Sequence, residues 1–300
     1  MKQVEYPGVP DDVIRRRITL PENGIEIALQ DWGGDGPLAL LHHANGFCAA
    51  LWAPVAECLR DRFHVVAMDA RGHGDSGIPS EVVTAETFSW SAMGDDVRQV
   101  ANVLLNESGQ SEIALGLGHS FGGTLTLAAE SQQPGLYEKL VLIDPVVPPP
   151  AWLLEARGGN ENQMVERALR RRDRWPSREE ARNLLSSKAL FAEWTPRAYE
   201  LYIQEALQET EGGEVELKCA REVEAAVFGN SFSLDLEKVL PRVAAPVRLI
   251  WAAQGSFPLQ IVRDVCNQLP RGELIELDAG HLMLMEKPDW VVDHVLSFCS

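Results

Sequence analysis

Gly118-His119-Ser120-Phe121-Gly122 sets a serine between two glycines, where an apolar β-forming run ends and a helix-like segment begins. The run is Ile113 to Leu117, and the helical pattern extends from about Thr124 to Gln133. A strand that turns this sharply into a helix forces the residue at the bend into a strained backbone conformation. It needs glycine on either side, where the neighbouring chain leaves no room for side chains. Ser120 is therefore expected to project its hydroxyl above the strand ends, at the positive end of the following helix, where an alkoxide or oxyanion is favoured. A serine hydroxyl is a weak nucleophile near neutral pH, so this chemistry requires a base.

The sequence has seven histidines. Only His281 combines a position after an apolar strand with a preceding glycine and a following helix. In a parallel sheet the loops after the strands gather along one edge, so His281 can meet Ser120 despite the distance between them in sequence. His281 is the expected base; His42, His43, His64, His73, His119 and His294 are the alternatives. An oxyanion created by attack of Ser120 needs two N–H groups aimed at it. The amide of Phe121 supplies one, and the loop after Leu38 to His43 supplies the other, with Asn45 as the donor. An ordinary turn at His43 to Phe47 is the competing reading.

These groups need a scaffold that brings distant strand ends together. Ile14 to Pro21 and Ile25 to Trp32 read as a hairpin around Glu22-Asn23-Gly24. Leu38 to His43, Val65 to Asp69, Ile113 to Leu117 and Leu140 to Ile143 are apolar without alternation, as strands buried on both faces are. Helical spacing fills the gaps from Ala49 to Arg60 and from Ser91 to Asn106. The rhythm breaks at Val146 to Pro150, and from Ala151 to about Phe228 the chain reads as nearly all helix. It resumes with strands at Val247 to Ala253 and Glu273 to Asp278, and with helices at Leu259 to Leu269 and Pro288 to Phe298. This is the pattern of a parallel sheet covered on both faces and interrupted by a helical insertion.

Composition narrows the function classes. The formal charge of −17 over 300 residues argues against nucleic acid and acidic membranes as partners. Arg170-Arg171-Arg172-Asp173-Arg174 is a local exception, read as a solvated, ion-paired helix face because glutamates surround it. The five cysteines are scattered and lack metal-site spacing, which fits reduced thiols in a cytoplasmic protein. Cys48 is either a small buried hydrophobe or a reactive thiol. The polar N-terminal stretch lacks the apolar core of a signal peptide, and no apolar run is long enough to span a bilayer.

Taken together, Gly118 to Gly123, the stretch Asp69-Ala70-Arg71-Gly72-His73-Gly74-Asp75-Ser76, the histidine loop followed by Trp52, and Gly280-His281 resemble the α/β-hydrolase superfamily. The resemblance implies a mostly parallel eight-stranded sheet covered by helices. It also implies a core of residues 1–147 and 229–300, and a helical cap at 148–228 inserted after the sixth strand. Asp69, Arg71 and Asp75 are then loop scaffolding. Two departures stand out. The oxyanion loop carries Ala44 where a glycine is common, and Gln254 to Pro258, where the carboxylate that orients the histidine usually stands, has no Asp or Glu. Some relatives carry the acid after the sixth strand, which assigns the role to Asp144; a Ser120-His281 dyad helped by water or Ser256, and an impaired enzyme, are the alternatives. A serine at the bend implies a serine hydrolase that cleaves small carboxylic esters or lactones through an acyl-enzyme, with no metal or cofactor. Trp152 and Trp194 in the insertion are the expected substrate contacts. The rival readings are a small-molecule receptor with weak turnover and a carbon–carbon bond hydrolase.

Overall fold

In the computed structural model, which describes residues 7–78, 83–84, 86–147 and 161–300, the short apolar runs become strands that are buried almost throughout. The first part of the chain forms β1 (Ile14–Thr19), β2 (Glu26–Gly33), β3 (Leu38–His42), α1 (Ala53–Leu59) and β4 (His64–Met68). It continues with α2 (Trp90–Ser108), β5 (Ile113–His119), α3 (Phe121–Gln132) and β6 (Tyr137–Ile143). The insertion contains α4 (Glu161–Leu169), β7 (Arg174–Trp175), α5 (Arg178–Leu185), α6 (Pro196–Glu205), β8 (Leu207–Glu209), β9 (Val215–Leu217) and α7 (Arg221–Gly229). The sheet is completed through α8 (Leu236–Val239), β10 (Val247–Gln254), α9 (Leu259–Gln268) and β11 (Gly272–Gly280), and the chain closes with α10 (Met283–Glu286) and α11 (Pro288–Phe298).

Eight strands line up in the order β1-β2-β4-β3-β5-β6-β10-β11. The pairs β1–β2 and β2–β4 are antiparallel and the rest are parallel. Successive side chains on a strand point to opposite faces, and the core divides accordingly. Ala39, Leu41, Val65 and Ala67 join α1 and α11 in one layer. Leu38, Leu40, Val66 and Met68 join α2, α3 and α9 in the other. From β3 the chain steps to β4 on one side and later to β5 on the other. Such a reversal, beyond the carboxyl ends of β3 and β5, is where an open α/β sheet binds its ligand.

The insertion differs from its sequence reading. It carries a second sheet, of order β7-β9-β8 and antiparallel, alongside its helices. Strands of two or three residues are too short to display an alternation, so the helical spacing around them dominated the pattern. The basic run is not a helix face either, because α4 ends at Leu169 and residues 170–173 form the turn into β7. Arg170, Arg172 and Arg174 are exposed and paired with Glu166, Glu180 and Glu216, but Arg171 is turned inward. The boundary expected at 148 lies outside the described residues, and the one at 228/229 falls on the last residue of α7. No helix among the described residues is long and apolar enough to cross a membrane.

One buried carboxylate ties the Ser120-bearing part of the sheet to the chain returning from the insertion. Glu130, fully buried near the end of α3, accepts from the amides of Gly135 (2.9 Å), Tyr137 (3.1 Å), Ala244 (3.2 Å) and Ala245 (3.2 Å). Buried amides without acceptors are costly, so this side chain satisfies two loops at once. Glu130→Gln is expected to destabilise the protein by about 2–3 kcal/mol in urea unfolding, since one oxygen becomes a donor facing donors. A loss below about 0.5 kcal/mol, the range of ordinary surface changes, would show that these amides find other acceptors.

Candidate active site

Ser120 lies between β5 and α3 with φ +55° and ψ −123°. Among the described residues only Ser120 and Asp144 have positive φ without being glycine. The bend is closed tightly by its glycines. A Cβ on Gly118 would stand 2.4 Å from Gly123 Cα, and one on Gly122 would stand 2.4 Å from the carbonyl oxygen of His43. Helix α3 begins at Phe121, three residues earlier than its apolar spacing indicates, so Ser120 stands directly at the helix N-terminus.

Three predicted residues meet here. His281 Nε2 lies 2.9 Å from Ser120 Oγ, and His281 Nδ1 lies 2.6 Å from Asp144 Oδ2. The Asp144 carboxylate accepts from Nδ1–H, which turns the Nε2 of the imidazole toward the serine hydroxyl. Asp144 is buried and His281 partly open, with side-chain exposures of 2% and 27%. The second oxygen of Asp144 accepts from the amide of Ala252 at 3.1 Å, while its own amide donates to Ile250 at 2.7 Å. The carboxylate is thus locked to β10, the strand whose following loop lacks an acid. At Gly255 in that loop a Cβ would stand 2.5 Å from Asp144 Oδ2, so Asp144 fills the space that a side chain at position 255 would need. Such a line of groups can move a proton from the serine to the imidazole while the carboxylate stabilises the charge.

Five of the other six histidines have structural partners. His119 Nε2–H donates to the carbonyl of His281 at 2.8 Å and so fixes the loop that carries His281; burial, followed by repulsion from His281, lowers its pKa to about 3. His42 Nδ1–H donates to Gly122 at 3.2 Å, tying β3 to the start of α3, and burial lowers its pKa to about 4. His43 donates from Nδ1 to the carbonyl of Ala44 and accepts at Nε2 from the amide of Ala70. His64 pairs with Asp31, His73 lies against Asn45, and His294 is half-buried in α11. The His119 contact went unread because a histidine beside the serine carries no sequence signal of which group it will bond.

Asn45 is buried in the β3–α1 connection, with Gly46 beside it at φ +78°. Among the described residues neither its amide nor that of Phe121 has a backbone acceptor. Trp194 is buried in a tilted and edge-on cluster with Phe47 (5.5 Å), Phe191 (4.9 Å) and Tyr202 (5.8 Å). Trp152 lies outside the described residues. Asp69 accepts from the amides of Ala49 (2.7 Å) and Asp75 (2.9 Å), and burial raises its pKa to about 6. Arg71 forms a buried ion pair with Asp96, and Asp75 pairs with Lys218 at 2.8 Å; all three residues hold loops together. Cys48 is buried and its thiol is pushed well above its usual range by burial, which leaves it a packing residue.

Comparison with known proteins bears on the family and the fold. The chain is 30% identical over 159 residues to 2-(acetamidomethylene)succinate hydrolase of Mesorhizobium japonicum, covering 52% of each chain. It is 29% identical over 163 residues to the type I acyl-CoA thioesterase mpaH of Penicillium brevicompactum, covering 52% of this chain and 36% of that one. The matched part therefore spans about half of the first relative and about a third of the second. The crystal structure of E-2-(acetamidomethylene)succinate hydrolase superposes with a TM-score of 0.79 over 95% of this chain and 98% of that one, at 19% identity, a likeness of fold. Residues 39–294 match the profile of the alpha/beta hydrolase family, and the chain belongs to that family.

Proposed function

We propose that the protein is a serine hydrolase acting on small carboxylic esters, with Ser120 as nucleophile, His281 as base and Asp144 as the orienting acid. The observation that carries this reading is the continuous line from Ser120 Oγ through both nitrogens of His281 to Asp144, at 2.9 and 2.6 Å. Ser120 attacks the substrate carbonyl as His281 takes its proton. The amides of Phe121 and Asn45 receive the negative oxygen, and His281 returns the proton to the leaving alcohol. Water, deprotonated by the same histidine, then cleaves the acyl-enzyme. The positive φ of Ser120 supports this assignment, because strain of about 1–3 kcal/mol is retained at a position where a hydroxyl facing His281 has a use.

The insertion is proposed as a cap over the crevice, with Trp194 forming part of its wall against Phe47. Lactones fit the same chemistry. Thioesters form a second reading favoured by one observation, the similarity to an acyl-CoA thioesterase. The receptor reading loses its motive once Asp144 occupies the place of the missing loop acid.

The test is hydrolysis of p-nitrophenyl esters of increasing acyl length, with a thioester alongside. Ser120→Ala and Asp144→Asn are each expected to lower kcat by about 10⁴-fold or more. Full retention of activity by Asp144→Asn would remove it from the mechanism. Gly255→Ala is expected to lower kcat about a hundredfold with KM nearly unchanged, because the new methyl pushes the carboxylate off His281. A wild-type kcat in that variant would mean that Asp144 tolerates displacement and does not orient the base.

A further inference from the structure

Asn45 is held from two parts of the chain. Its Oδ1 lies 3.0 Å from His73 Nε2 in the core loop, and its Nδ2 donates at 3.1 Å to the main-chain carbonyl of Glu224 in α7 of the insertion. The neighbouring residues touch the insertion as well. A Cβ on Gly46 would stand 2.8 Å from Glu224 Oε1, so the Glu224 carboxylate lies directly against the loop backbone. The Phe47 ring meets Tyr202 edge-on at 6.0 Å. Arg171 locks these contacts together: Nη1 donates to Glu224 Oε2 at 2.7 Å, and Nη2 donates to the Tyr202 hydroxyl. Side-chain exposure is 19% for Arg171 and 12% for Glu224, so the pair is largely withdrawn from water.

A withdrawn ion pair contributes little net stability, since desolvation offsets its attraction, and an apolar pair of similar volume does as well. What it supplies is fixed geometry. Three consecutive residues of the β3–α1 connection are held here: Asn45 by the main-chain carbonyl of Glu224, Gly46 against its carboxylate, and Phe47 against the Tyr202 ring. A backbone donor in an oxyanion hole works only while it is held where charge develops, and a loop is mobile unless tied down.

We propose that Glu224 and Arg171 are positioning residues of the oxyanion hole, acting through Asn45. The insertion thereby completes the reaction machinery as well as covering it. Through the role of Asn45, this inference rests on the serine-hydrolase reading. Loss of the clamp weakens stabilisation of the transition state and leaves ground-state binding in place, so kcat falls and KM holds.

The experiment is the second-order rate at which a fluorophosphonate labels Ser120, a reaction that also develops charge on an oxygen in the hole and requires no knowledge of the natural substrate. Arg171→Met and Glu224→Gln are expected to label about tenfold more slowly than wild type, with Arg171→Lys between. In an Asn45→Ala background, Arg171→Met is expected to add no further loss, because both changes act through one residue. Labelling at the wild-type rate in both single variants, or losses that multiply in the Asn45→Ala background, overturns the proposal. Should melting show that Arg171→Met does not fold, the isosteric Glu224→Gln carries the same comparison in both backgrounds. A wild-type protein that is not labelled at all sinks the serine-hydrolase reading, and this inference with it; a labelled wild type with unaffected variants sinks this inference alone.

Discussion

The backbone at Ser120 is the constraint on which the surrounding structure depends. A residue with a side chain at φ +55° is held there only if the elements on either side leave it no alternative. Here β5 hands over to α3 without a spacer. The helix start is pressed against the end of β3 so closely that Gly122 has no room for a methyl group. His42, buried and uncharged, ties those two elements together through the carbonyl of Gly122. Strand order does the rest, because placing β3 and β5 side by side brings the serine and the Asn45 loop to one crevice.

The second strained residue, Asp144, follows the same logic at the next strand end. Its φ of +39° turns the carboxylate across β10, where Ala252 and His281 each bond one oxygen. Aspartate tolerates this region better than most residues, and the Asp-Pro step that suggests an ordinary turn is also what such a bend requires. Gly255 and Asp144 are a matched pair: the carboxylate arriving from β6 lies where a side chain at position 255 would have to stand.

Around this line the buried polar groups serve mainly to hold loops. Asp69, Arg71 and Glu130 each bond backbone amides or an opposite charge from separate segments. The insertion contributes in the same way at the site itself, since Glu224 and Arg171 reach the loop after β3 from outside the sheet.

Much of this was legible in the chain because the signals were local. Unalternating apolar runs mark strands buried on both faces, glycines flank a bend that cannot hold side chains, and Gly280-His281 follows a strand. Asp144 was accessible only by elimination together with the family resemblance. The small sheet of the insertion was invisible because its strands are shorter than a period of alternation. Arg171 could not be told from Arg170 or Arg172, as nothing in a run of like residues says which one turns inward. The sequence by itself determined the fold class, the strained serine and the histidine expected to serve it, because periodicity and turn chemistry are properties of neighbours along the chain. Only the tertiary structure decided that Asp144 lies against a bare Gly255, that His119 braces His281, and that Asn45 bonds Glu224, which Arg171 holds. Each of these is a contact between residues far apart in the chain, set by how strands and insertion pack.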